Sequence, residues 1–298
     1  MSQRGVPAQV QGLLWVVLTA ACWGLAWPVM KVALLEWPVF SFRVFTSAGG
    51  VALLLGLALA RGESIRPRGG AQWRRLALAG LLNITPFVGL GTLSLLWLNA
   101  SEAAIVAYTM PIWASILAWP VLGERPTAPR LTGLAVGLAG VAVLLAPVVL
   151  ASAGGQINKL PGYACILGTA VLFAFGTVLT KRRPPGMPPL ASLAWQVVFG
   201  TVPLAVGAVL FDRWEGVHIG LVSWLMALYI MGLGLCLGYL AWFRALRLLP
   251  ASTAAIATLL VPVIGVFSAA LLLGEPLGWR QFTSLGMTMA GIVLASRG

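Results

Sequence analysis

The sequence predicts an all-α integral membrane protein of ten transmembrane helices in two inverted five-helix repeats. Three observations carry that prediction. About 60% of the 298 residues are apolar and only 9% are charged, too few charges to cover a soluble globule of this length. The apolar residues gather into runs of roughly 20, the length of helix that crosses about 30 Å of hydrocarbon. Finally, residues 100–126 and 251–276 nearly repeat each other: Ala-Ser-Glu-Ala-Ala-Ile, Pro111, Leu-Gly-Glu-Arg-Pro against Ala-Ser-Thr-Ala-Ala-Ile, Pro262, Leu-Gly-Glu-Pro. An offset of 151 pairs Ala103 with Ala254, Pro111 with Pro262, Gly123 with Gly274, Glu124 with Glu275 and Gly140 with Gly291. An offset of 150 pairs Gly12 with Gly162, Thr19 with Thr169 and Lys31 with Lys181.

The first half, 1–151, supplies spans at 12–34, 38–60, 72–98, 102–122 and 128–150. In the first span Trp23 and Trp27 share a face one turn apart, and Lys31 marks its far end. Leu18 to Cys22 resembles a lipoprotein cleavage box, but the basic segment before it is thin and the apolar run continues past the cysteine, so the span reads as uncleaved. Arg43 lies more than a turn inside the second span. The third follows a basic loop and carries Asn83 and Thr85 beside Pro86. The fourth opens near Glu102 and holds Tyr108 and Thr109 before Pro111. In the fifth, Gly133 and Gly137 form a small-residue packing face.

The second half, 152–298, repeats the pattern at 160–181, 190–211, 219–247, 251–273 and 279–296. Pro111 and Pro262 fall in equivalent spans, where each removes a backbone donor and kinks the helix. Carbonyls freed at that depth are tolerated only against protein or a watery cavity. The third span has Pro86 with Gly89 and Gly91; its counterpart has Gly232, Gly234 and Gly238 in place of a proline. Cys22, Cys165 and Cys236 sit singly in spans with no metal-ligand spacing and read as buried fillers.

With the N-terminus inside, roughly 14 basic residues fall on the inner face and about 4 on the outer, an asymmetry that predicts both termini in the cytoplasm. The expected location is a bacterial inner membrane. The basic surface is expected to meet anionic lipid of the bilayer, not nucleic acid. Because each half has five spans, the second copy enters from the opposite side, related to the first by a two-fold axis in the membrane plane. Such a molecule has two arrangements of similar energy, one open to each side.

The chain resembles the drug/metabolite transporter superfamily, in its ten-helix EamA-type branch. The resemblance rests on Trp23-Gly24 and Lys31 in the first span, Arg43 in the second, the basic loop after it, and the two Ala-Ala-Ile, Pro, Leu-Gly-Glu segments. Within that branch it is similar to exporters of amino acids, aromatic ones included. The resemblance implies export of a small metabolite, most readily an amino acid, by alternating access, with facilitated or exchange coupling. The second half departs from the pattern: Phe173-Ala174 replaces Trp-Gly, and Gln196 stands where Arg43 predicts a basic residue.

Apart from the family, the polar groups within the spans are few. Asn83, Tyr108, Tyr239 and Thr258 lie near helix breaks, and with Trp23, Trp27, Phe175 and Trp242 they make the candidate substrate site. Aromatics around a polar cavity suit an apolar or aromatic cargo, and equally a cation; export of lipophilic or cationic toxic compounds is therefore the alternative. Lys31, Arg43 and Glu102 are expected near the outer surface as a gate or as contacts for a carboxylate, with Pro111 and Pro262 as hinges. Glu124 and Glu275 are expected to cap or brace helices. No carboxylate lies at the centre of a span, which argues against a buried acidic proton relay. A lone histidine, His218, leaves general-base catalysis without a candidate, so no enzyme is expected. Neither a cofactor nor a metal set is expected, and no obligate protein partner is evident.

Overall fold

The structure, a computed structural model, describes residues 7–123, 125, 127–151, 159–249 and 258–296. Every element among them is helical. The order is α1 (Ala8–Gly24), α2 (Ala26–Ala33), α3 (Val39–Ala60), α4 (Gly69–Ala79), a π-helical segment (Gly80–Leu90), α5 (Gly91–Ser94), α6 (Ala100–Ala107), α7 (Met110–Leu122) and α8 (Ala128–Ala151). There follow α9 (Leu160–Arg182), α10 (Pro189–Phe211), α11 (Leu221–Tyr229), a second π-helical segment (Ile230–Leu237), α12 (Gly238–Leu248), α13 (Leu260–Leu273) and α14 (Trp279–Ser296). Seven continuous stretches are long and apolar enough to cross a membrane, among them Ala8–Ala33, Gly69–Ser94 and Leu221–Leu248; Ala128–Leu144 and Leu260–Leu273 are shorter apolar helices. Where ten spans were expected, seven are clear by length and composition. The first part of the ninth, 251–257, lies outside the described residues. Val209 and Leu271 are 85% and 84% exposed, as side chains that face lipid are. The chain is a multi-pass membrane protein.

Several spans are broken partway along. The first pauses at Leu25, ahead of Pro28, and the fourth stops at Ala107 and restarts at Met110. Pro111 has no N–H for the carbonyl of Ala107, one turn back; Ile112 N donates to Thr109 O instead, at 2.9 Å. The expected kink is thus a two-residue interruption at Tyr108–Thr109. In the other half, α13 begins just ahead of Pro262, and Val261 N donates to Thr258 O at 2.9 Å.

Widened π-helical turns replace α-helix in the third and eighth spans, beginning at Gly80 and Ile230, 150 residues apart. Pro86 accounts for the first by removing a ladder donor. Gly232 and Gly234 lower the barrier to the second, as the glycines there predict. A hydroxyl from the other half reaches the first widened segment and the residue that follows the second. Thr169 donates to Pro86 O at 3.0 Å, and its repeat partner Thr19 points at Gly238 O, at 3.4 Å.

The same reciprocity runs through the packing. The most extensive helix pairings join α8 to α14, α3 to α10, and α1 to α12, in each case one half to the other. A Cβ on Gly12 would lie 2.5 Å from Leu249, and one on Gly162 2.8 Å from Leu98; Leu98 and Leu249 are themselves 151 apart. Likewise a Cβ on Gly140 would meet Ser284 O at 3.0 Å, while one on Gly291 would meet Gly133 O at 2.6 Å. The glycines are needed because the helices approach closely there, backbone against backbone at Gly140 and Gly291. The repeated Leu-Gly-Glu motif also finds its local meaning: Gly123 and Gly274 adopt left-handed backbone, φ 78° and 66°, and end α7 and α13, a conformation that favours glycine.

Candidate functional site

The breaks bring aromatic side chains together between the halves. Trp23, in the last turn of α1, donates its indole N–H to Gly234 O at 3.0 Å, a carbonyl of the second widened turn. Its ring lies 5.1 Å from Tyr239 and 6.1 Å from Trp242. One turn on, Trp27 is 2% exposed and meets Phe87 at 6.3 Å, which in turn meets Phe173 at 5.5 Å. Tyr108 is buried where the fourth span is interrupted, in one buried cluster with Trp27 against which Trp23 packs. Five expected site residues, Trp23, Trp27, Tyr108, Tyr239 and Trp242, thus converge on the region where α1, α2, the widened turns and the α6–α7 break meet.

Others are placed differently. Asn83 faces α9, where its amide approaches Thr180 Oγ1 at 3.5 Å and its Oδ1 is buried without a donor. The face is fixed by Gly176, whose missing Cβ leaves room for the Asn83 carboxamide. Phe175 enters no ring pair among the described residues; Phe173, on another face of the same helix, does so instead. Thr258 stands at the start of α13. Phe87, Phe173 and the Gly234 carbonyl were not singled out as site groups from sequence. A signal was available for Phe173, which is the repeat partner of Trp23 at the offset of 150.

The charged candidates separate into braces and one exception. Lys31 donates to Leu95 O and, at 2.8 Å, to Leu98 O, carbonyls just past the end of α5, where a cation also suits the helix dipole. Glu102 closes a capping box with Asn99 and pairs with Lys159 at 2.9 Å, not with Lys31 or Arg43. Glu275 accepts from Ala100 N at 2.6 Å, Ser101 N at 3.0 Å and Ser101 Oγ at 2.6 Å; it is the helix cap expected of it, set on α6 of the other half. Glu124 lies outside the described residues. Pro111 is exposed and Pro262 buried. The exception is Arg43, which is 8% exposed and, among the described residues, reaches no oxygen acceptor: NH1 lies 3.5 Å from Met30 Sδ, the guanidinium carbon lies 6.0 Å from the Phe42 ring centroid, and Nε is buried without a hydrogen-bond partner.

A multi-pass membrane bundle, broken in its spans around a shared aromatic site, has the construction of a membrane transporter. The chain belongs to the EamA-like transporter family, within the drug/metabolite transporters; the family's profile matches residues 10–146 and again residues 160–297. It is 30% identical over 274 residues to the uncharacterized transporter YvbV of Bacillus subtilis, covering 92% of this chain and 88% of that one. It is 26% identical to a probable amino-acid metabolite efflux pump of Salmonella typhimurium, over 93% of this chain and 92% of the relative. It is also 25% identical to a probable terminal-alkyne amino-acid exporter of Streptantibioticus cattleyicolor, over 95% and 92%. One solved crystal structure, 20% identical, shares the fold with a TM-score of 0.64 over 97% of this chain and 96% of the other.

Proposed function

We propose that this transporter exports small metabolites, amino acids including aromatic ones foremost, by alternating access between two inverted repeats, 1–151 and 152–298, of five spans each. The membrane is a bacterial inner membrane with both termini in the cytoplasm, and movement is facilitative or by exchange. The observation that carries the reading is the reciprocity of contacts. Thr19 and Thr169, Gly12 and Gly162, and Gly140 and Gly291 each meet the element that their partner's contact prescribes. A contact set of this kind is what a two-fold axis generates, and five-span halves place that axis in the membrane plane.

The substrate site lies in the aromatic region near the axis, lined by Trp23, Trp27, Tyr108, Tyr239 and Trp242, with Asn83, Phe175 and Thr258 toward its periphery. Pro111 and Pro262 serve as hinges. The names of the Salmonella and Streptantibioticus relatives favour amino acids as cargo. Proteoliposome counterflow with labelled amino acids tests this. Exchange without an imposed gradient is expected, with aromatic side chains competing best and Tyr108→Ala slowing exchange while folding is retained. Competition by lipophilic cations, with none by amino acids, points to toxic-compound export instead.

A further inference from the structure

Resting on the amino-acid reading of that site, we infer that Arg43 is the seat for the cargo's carboxylate, so that the transported species must carry an anionic group. A guanidinium presents five N–H donors and stays charged at any ordinary pH. Burial of such a group inside a membrane bundle is costly unless an acceptor answers it. Arg43 is 92% buried, and among the described residues it meets the weak acceptor Met30 Sδ and, at 6.0 Å, the face of Phe42, neither of which supplies an oxygen to its N–H groups, with Nε left unmatched.

Acids that are near in the fold or in sequence are engaged elsewhere. Glu36 accepts from Gly220 N, Glu102 from Asn99 N and Lys159, Asp212 from Phe40 N and Ser41 N, and Glu275 from Ala100 and Ser101. Glu215 is exposed on the loop before α11. The protein thus keeps a buried cation and commits its nearby anions to other donors. A bidentate carboxylate from the cargo is the ligand chemistry that fills the gap.

Its position suits an amino acid. Met30, against which Arg43 rests, is one turn from Trp27 and two turns from Trp23 on the same span, about 5 and 10 Å along a helix axis. A carboxylate on Arg43 therefore lets an aromatic side chain extend toward the Trp27–Phe87 and Trp23–Tyr239 rings. The polar stripe below Arg43 on α3, with Thr46, Ser47 and Gly50 buried, continues in the same direction.

The test compares free acids with analogues that lack the charge. Counterflow of labelled phenylalanine is challenged with unlabelled phenylalanine, phenylalaninamide and phenethylamine, in the wild type and in Arg43→Lys and Arg43→Met. Rejection of the amide and amine by roughly 10- to 100-fold relative to the acid is expected in the wild type. Arg43→Lys, a point charge without the planar fork, is expected to retain part of the exchange. Arg43→Met is expected to lose it while melting no lower than the wild type, because an unmatched buried charge has been removed.

Equal competition by acid, amide and amine in the wild type overturns the assignment and leaves the carrier reading intact. A lower melting temperature in Arg43→Met with free-acid preference retained also overturns it, making Arg43 a structural group. Silence of the wild type toward a full amino-acid panel removes the carrier reading and this inference together.

Discussion

The two ends of the bundle are tied together by opposite chemistry. At the end that carries Lys31 and Lys159, carboxylates from one half cap helix N-termini of the other. Glu275 holds the start of α6, Asp212 accepts from Phe40 N and Ser41 N at the start of α3, and Glu36 accepts from Gly220 N, at 2.8 Å, ahead of α11. At the opposite, arginine-rich end the ties are amide, indole and guanidinium donors on carbonyls. Gln72 reaches Pro185 O at 2.8 Å, Trp195 reaches Ile65 O at 2.7 Å, Arg75 reaches Pro184 O at 3.1 Å, and Arg182 reaches Val121 O at 2.8 Å. A carboxylate at a helix N-terminus gains both charge-assisted hydrogen bonds and the helix dipole. A neutral amide or indole donor on a carbonyl contributes about 0.5–1.5 kcal/mol net, and the Arg75 and Arg182 bonds are exposed to water. The acidic end is therefore expected to be the more firmly held of the two.

The largest break in that comparison is expected from Glu275→Gln, which keeps the shape and removes the charge shared by three donors. A loss of about 1–3 kcal/mol is expected, read as a lower melting temperature in detergent together with faster hydrogen exchange at the Ala100 and Ser101 amides. Unchanged protection there would mean that α6 is held by packing alone. Asp212→Asn is expected to do the same, somewhat more weakly, at Phe40 and Ser41. The offset of 151 makes Glu124 the counterpart of Glu275.

At the arginine-rich end, Gln72→Ala removes hydrogen bonds to both Pro185 O and Gly186 O and is expected to lower stability by about 1 kcal/mol or less. Faster exchange of labelled substrate is the functional expectation, since the weaker end becomes weaker still. An effect as large as that of Glu275→Gln would erase the difference between the ends. Smaller again is the Lys159–Glu102 pair, in which Lys159 is 29% exposed. Lys159→Met is expected to change stability by less than about 1 kcal/mol, because Glu102 keeps its bond from Asn99 N.

Much of this was legible in the chain. Pro86 and Pro111 read directly as breaks because proline acts on its own backbone, without reference to neighbours. The proposed inversion rests on the odd number of spans expected per half. Rotation about each helix axis was not legible. Spans that are apolar on every side carry no stripe to mark the buried face, so periodicity did not separate Phe175 from Phe173, and only the repeat pairing with Trp23 pointed to Phe173, which alone of the two joins the rings. Asn83 was grouped with Tyr108 for the same reason and instead faces α9. Nor could sequence foresee that Asp212 and Glu36 cap helices some 170 to 184 residues away, since such contacts exist only once the halves meet. Arg43 was visible as a charge inside a span; that it meets a thioether and a ring but no oxygen acceptor among the described residues was not.

Glu36 gives the smallest effect and the finest test of the acidic end. The Ser223 hydroxyl and the Gly220 N–H hold its carboxyl below the ordinary range, because both favour the charged form. A carboxyl depressed on folding contributes stability that is present above its unfolded value, about 4.3, and is lost as pH falls through the lower folded value. Melting temperature should therefore decline more steeply between roughly pH 5 and 3 in the wild type than in Glu36→Gln, with the two curves converging at the acid extreme. The carboxylate is fully exposed, so salt should blunt the difference. The bonds from Ser223 and Gly220 are local and should survive that screening in part. Curves that run parallel at every pH would show that the α11 cap has no role in joining the halves, leaving Glu275 and Asp212 as the carboxylate ties of that end.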